Sequence, residues 1–129
     1  MPGRFLLDTS VIIPLFAGDA EVARTLGDAE EVFVPSVALG ELFYGAHKSS
    51  RSAANLSQAE AFAASVTVLG CDLDTARHYG EIKNVLRALG RPLPENDVWI
   101  AAVARQHGLT LATRDAHFSQ IGGLDLASW

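Results

Sequence analysis

The sequence predicts an α/β domain with a short, mainly parallel sheet and helices on both faces. Three observations predict it. Short apolar runs alternate with helical patterns along the chain, the signature of parallel strands joined by helical crossovers. The chain has 129 residues, the size of one domain, so residues 1–129 are read as a single unit. Hydrophobic residues make up 49% of it, enough for one real core and too many for a disordered chain.

The elements follow in order. Residues 4–7 read as a short buried strand that stops at Asp8. Residues 10–17 read as a short helix in spite of Pro14, and residues 20–28 as a second. Residues 31–34 form a strand stopped by Pro35, and Ser36 is placed to cap a helix running to about His47. The Ala-rich stretch 52–64 is helical. Residues 66–69 make a third strand, ended by Gly70. Residues 75–89 are helical, with Ala76, Tyr79, Ile82, Leu86 and Leu89 on one face and Gly90 as the stop. After Pro92 and Pro94, a helix over residues 97–107 is closed by Gly108, with Trp99 read as core. Residues 109–112 are a fourth strand and residues 123–127 a short edge strand.

Ten Lys and Arg against fifteen Asp and Glu give a net charge of −5, which argues against a generic polybasic nucleic-acid binder. The lone Cys71 excludes an intrachain disulfide framework and a Cys-based zinc site, and is read as a small buried residue in a reducing compartment. The N-terminal stretch partly mimics a signal peptide, but Asp8 interrupts it and Pro14 follows. Its longest uncharged apolar run, residues 9–18, is far short of the ~20 residues of a membrane span. The expectation is a cytoplasmic protein with no membrane contact.

Four carboxylates are placed where one site can form. Asp8 ends the first strand, Asp97 opens a helix and Asp115 lies just past the fourth strand; ligands of open α/β sheets bind outside such strand ends. Glu41 sits mid-helix between Val37 and Tyr44, an apolar setting in which a carboxylate needs a cation, a metal or a proton. Each acid also has an ordinary structural reading. Asp8 suits a helix N-cap, Asp97 complements a helix dipole, Asp115 suits a surface turn and Glu41 an ion pair. The combination carries more weight, because all four fall at one end of one sheet. Oxygen ligands without His or Cys favour Mg²⁺ or Mn²⁺. Such an ion relieves repulsion among crowded carboxylates, binds a phosphodiester oxygen and lowers the pKa of a water.

The residues at these positions resemble the PIN-domain ribonucleases of the VapC toxin type, from type II toxin–antitoxin modules. The matching segments are Phe5-Leu6-Leu7-Asp8-Thr9-Ser10, Ser36-Val37-Ala38-Leu39-Gly40-Glu41-Leu42-Phe43-Tyr44-Gly45, Glu95-Asn96-Asp97-Val98-Trp99-Ile100-Ala101-Ala102 and Leu111-Ala112-Thr113-Arg114-Asp115-Ala116-His117-Phe118. Each alone is weak; four in register span essentially the whole chain.

The resemblance implies a three-layer α/β/α PIN-like fold and a Mg²⁺- or Mn²⁺-dependent endoribonuclease. It implies that Asp8 and Asp97 are the principal metal ligands and that Glu41 and Asp115 complete the pocket. Thr9, Ser10 and Thr113 match hydroxyl positions that orient those acids or hold waters, with Ser10 standing where the family often has Asn. It further implies a homodimer and an RNA substrate. A cognate antitoxin is expected to lay its tail over the active-site groove, with operator DNA bound only through that complex. The alternative is a non-catalytic PIN-like module acting mainly in a partner complex at operator DNA, which metal-dependent RNA cleavage discriminates. A haloacid-dehalogenase-like phosphatase is disfavoured because its Asp-x-Asp would put an acid at Ser10, and a receiver domain because the third strand ends without an Asp.

RNA contact by an acidic protein needs local positive charge. Arg114, Lys48 and Arg51 are the chief candidates, with His117, Lys83, Arg87 and Arg91 behind them; a structural ion pair is the competing reading for Arg114, and a solvated helix face for Lys83 and Arg87.

Overall fold

A computed structural model describes residues 3–129. In chain order it contains β1 (Arg4–Leu7), α1 (Thr9–Phe16), α2 (Ala20–Asp28), β2 (Glu31–Pro35), α3 (Ser36–His47) and α4 (Ser52–Ser65). These are followed by β3 (Thr67–Leu69), α5 (Leu73–Ala88), α6 (Glu95–His107), β4 (Thr110–Ala112), a 3₁₀ helix (Ala116–Gln120) and β5 (Leu126–Ala127). One five-stranded sheet has the order β3-β2-β1-β4-β5, and every pairing is parallel. The α/β class therefore stands as read, and the sheet is fully rather than mainly parallel.

Parallel strands covered on both faces must be apolar throughout. Leu6, Leu7, Val34, Leu111 and Ala112 are fully buried accordingly. The chain runs outward from β1 through β2 to β3, then returns to the other side of β1 with β4 and β5. The order reverses between β1 and β4, so the crevice for a ligand opens where these two strands end.

Several readings are corrected. Pro35 does not stop β2 but closes it, in register with Leu69 of β3 and past Phe33, the last β2 residue in register with β1. Helix α3 has no side-chain cap from Ser36, which is its first residue. Helix α5 begins at Leu73 because Asp72 and Thr75 form a reciprocal capping box, and Gln106 of α6 joins them. Its buried line is Thr75, Ile82 and Leu86; Ala76 and Leu89 face outward. Cys71 is exposed in the turn before α5 rather than buried. Trp99 is half-buried and stacks on Tyr79 at 4.1 Å rather than entering the core. Among the described residues, no helix is long and apolar enough to cross a membrane.

Candidate active site

The site grows from the ends of β1 and β4. Asp8 follows β1, is only 4% exposed, and caps α1 by accepting the Ser10 N–H at 3.0 Å. The Ser10 hydroxyl donates to the same oxygen, Oδ1, at 2.6 Å. The other oxygen, Oδ2, accepts the Thr113 hydroxyl at 2.5 Å across the strand pair. Each hydroxyl in turn accepts a backbone N–H from the loop after β4: Ser10 Oγ from Arg114 at 2.8 Å, and Thr113 Oγ1 from Asp115 at 3.0 Å. A hydroxyl that receives an N–H and gives its own proton to a carboxylate has a fixed orientation. The capping role and the clustered role of Asp8 are therefore both realised.

Asp115 caps the 3₁₀ helix through the His117 N–H at 2.9 Å, and His117 Nδ1 lies 3.0 Å from the same carboxylate oxygen. Asp97 lies in the first turn of α6, and Glu41 lies mid-way along α3 with the Asn96 amide against it. The fold brings the four acids within electrostatic reach of one another. Burial pushes the Asp8 carboxyl up, opposed by the Ser10 and Thr113 hydrogen bonds and helped by Asp115. Burial also raises Glu41, with Asp8 adding to it. Asp97 is pushed up to about 6, first by burial and then by Asp115, Glu41 and Asp8. Among the described residues, Asp8, Glu41 and Asp97 take part in no ion pair.

Uncompensated, oxygen-only donors of this kind fit a hard divalent cation. Among the described residues, no three His, Cys, Asp or Glu side chains stand close enough together to hold a metal ion as they are placed, so the fit rests on the chemistry of the donors. Thr9 lines a groove of about 680 Å³ that runs from Glu41 and Asn96 along α3 to Lys48, with Ile13, Tyr44, Asn55 and Gln58 on its walls. Ile13 and Tyr44 are 57% and 67% exposed there. Lys48 stands over the Tyr44 ring at 5.0 Å, and Arg51 ends the same turn, just ahead of α4.

Arg114 realises the ion-pair reading: its guanidinium meets Asp19 at 3.0 Å and the Trp129 carbonyl at 2.6 Å. Lys83 is bound to Glu95 and the Tyr79 hydroxyl, away from the acids. Sequence reading missed three participants. Asn96 was visible beside Asp97 in its segment. Asp19 and Trp129 carried no signal, because their partner lies about a hundred residues away or across a strand.

A family model for the PIN domain matches residues 5–124. The chain belongs to the PIN-domain family. This PIN domain is 34% identical to the tRNA(fMet)-specific endonuclease VapC of Shigella flexneri and 33% to Ribonuclease VapC2 of Haemophilus influenzae, each alignment covering 98% of both chains. Its fold superimposes on DNA-bound VapBC from Salmonella typhimurium with a TM-score of 0.92, at 30% identity and 98% coverage of both chains. The relatives thus place the chain in the VapC branch of PIN domains.

Proposed function

We propose that this PIN domain is the toxin of a type II toxin–antitoxin module, an endoribonuclease that hydrolyses RNA phosphodiester bonds with Mg²⁺ or Mn²⁺. One observation carries the reading: four carboxylates lie within electrostatic reach of one another at the sheet's switch point, and three of them take part in no ion pair. The names of the VapC relatives support it, as they are called endonucleases and ribonucleases.

Asp8 and Asp97 are the residues to hold the cation, with Glu41 and Asp115 completing the pocket. When bound, the cation supplies an activated water and a Lewis acid for a phosphodiester oxygen. The chain's own contribution is to keep these carboxylates ready. The Ser10 and Thr113 hydroxyls favour the ionised form of Asp8 against its burial and fix the orientation of its carboxylate. Thr9 lines the groove together with Glu41 and Asn96. Glu41 and Asp97 are held above ordinary carboxylates by burial and by neighbouring acids, a cost that nearby positive charge relieves.

The groove beside Glu41 is the track for RNA, with Lys48 and Arg51 as phosphate contacts at its outer end. The exposed Ile13 and Tyr44 give the same groove the apolar character that an antitoxin tail needs. A homodimer, and operator DNA bound only through the antitoxin complex, complete the reading. The solved Salmonella neighbour, a VapBC complex on DNA, supports the partner and also keeps the non-catalytic reading in view.

The test is cleavage of total cellular RNA by purified, partner-free protein with Mn²⁺. Discrete fragments are expected, lost with chelator and in Asp97→Asn. No cleavage by folded, metal-supplied protein makes the partner-complex module the better reading.

A further inference from the structure

The loop after β4 carries two N–H groups that complete the Asp8 network, and something must hold that loop in register with the β1 end. Thr113 N–H is fixed by the Ala127 carbonyl at 2.9 Å. Beyond it the backbone leaves the sheet. Arg114 is the residue at that point, and its side chain turns back from the acids to join two distant parts of the molecule. Nε donates to the Trp129 carbonyl at 2.6 Å, and a terminal nitrogen donates to Asp19 Oδ2 at 3.0 Å.

Both anchors are themselves secured. Asp19 caps α2 through its other oxygen, accepting the Glu21 and Val22 N–H groups at 3.0 and 3.1 Å. The Trp129 ring packs edge-on against Phe5 of β1 at 5.0 Å. A planar guanidinium is suited to such a double contact, because its donors lie in a fixed fork. Spanning these anchors engages Nε and a terminal nitrogen of Arg114, leaving it poorly placed to meet RNA.

We propose that Arg114 is a positioning residue: its bridge from Asp19 to Trp129 holds the 113–115 loop so that the Arg114 and Asp115 N–H groups seat on the Ser10 and Thr113 hydroxyls that orient Asp8. The effect on catalysis rests on the endoribonuclease reading; the effect on the loop does not. On this proposal Arg114 acts on the loop, whereas the sequence alone suggested an RNA contact.

Two variants test it in the full chain. Arg114→Lys keeps a cation but loses the fork. Asp19→Asn keeps the α2 cap, since Asn caps about as well as Asp, and removes the charge that holds Arg114. Amide hydrogen exchange by NMR on metal-free protein is read first. In both variants the Arg114 and Asp115 amides are expected to lose protection while core amides of β1 and β4 keep theirs. RNA cleavage with Mn²⁺ is read second. A fall in kcat of about tenfold with KM unchanged is expected in both, the size seen when groups that orient metal ligands are lost.

Unchanged exchange overturns the proposal, as does faster exchange without a fall in kcat. A raised KM in Arg114→Lys with normal kcat in Asp19→Asn also overturns it and makes Arg114 an RNA contact. Should the wild type cleave no RNA, the endoribonuclease reading fails by itself. Exchange then decides the bridge: protection lost in both variants supports it, and protection kept overturns it.

Discussion

Glu95 and Asp97 stand two residues apart in the first turn of α6, and their carboxyls are driven in opposite directions. Glu95 meets Lys83 and the Tyr79 hydroxyl, and these bonds hold it below the usual carboxylate range. With Tyr79 stacked on Trp99, the group braces α5 against α6. Asp97 is turned by roughly 200° around the helix, at 3.6 residues per turn. It opens on Asp115, Glu41 and Asp8 and is pushed up to about 6. Helix dipole and local sequence are nearly the same for both. The fold gives an ion pair to the acid that braces and none to the acid that opens on the other carboxylates, which supports the role proposed for Asp97.

The comparison breaks most sharply in activity. Asp97→Asn is expected to lower RNA cleavage by about 10²-fold or more, the size of effect that follows loss of a group stabilising developing charge. Its fold by circular dichroism should be unchanged, because a repelled charge has been removed rather than a contact. Glu95→Gln should cleave as the wild type does, with a slightly lower melting temperature, since exposed ion pairs contribute little. Equal losses of cleavage in the two variants would erase the distinction.

Cation binding gives the next largest effect. Mn²⁺ at a hundredfold excess over its Kd stabilises a folded protein by about 2.7 kcal/mol. Calorimetry should show this as an upward shift in melting temperature for wild type and Glu95→Gln, absent in Asp97→Asn and Asp8→Asn. The same shift in all four proteins would put the cation elsewhere.

How far the sequence revealed this arrangement depends on how local each feature is. The five strands and six α-helices were legible because apolar period and turn residues are local; the misjudged ends, at Pro35 and Asp72, depend on a partner strand and a capping box. The four acids were legible because each sits at an element end or interrupts an apolar face. The contrast between Glu95 and Asp97 was not, because Lys83 and Tyr79 approach from another helix. Cys71 was misplaced because burial of a lone cysteine is a tendency of the residue type, and its own turn lies outside the core. Arg114 was drawn to the acids by adjacency, yet its partners are Asp19 and Trp129, which only the assembled sheet brings near.

A smaller effect tests the support beneath Asp8. Thr113 is 5% exposed and gives its proton to Asp8 Oδ2. Thr113→Ala leaves that oxygen without a donor and the Asp115 N–H without an acceptor, so urea denaturation should show a loss of about 1–3 kcal/mol. Thr113→Ser, which keeps the hydroxyl, should recover most of it. Equal losses in both would assign the cost to packing of the methyl group.

The smallest effect is the pH slope of metal-free protein. Asp97 is pushed up to about 6 in the fold from the ordinary carboxylate value of 3.8, so the folded state binds its proton more tightly than the unfolded state. The cost of keeping it ionised is full above pH 6 and is relieved as pH falls from 6 toward 4. Asp8 and Glu41 are raised as well and act in the same sense. Glu95 has the opposite sign: its stabilisation is present above its ordinary 4.5 and lost only as pH falls through its lower folded value. Between pH 7 and pH 5 it therefore adds no slope, and the four histidines are common to every variant. Urea midpoints at these two pH values should move toward greater stability at pH 5 in wild type relative to Asp97→Asn, with Glu95→Gln following the wild type. Identical slopes in all three would mean that Asp97 bears no electrostatic burden. With Mn²⁺ bound the difference should reverse, because protons then compete with the cation for the same oxygens.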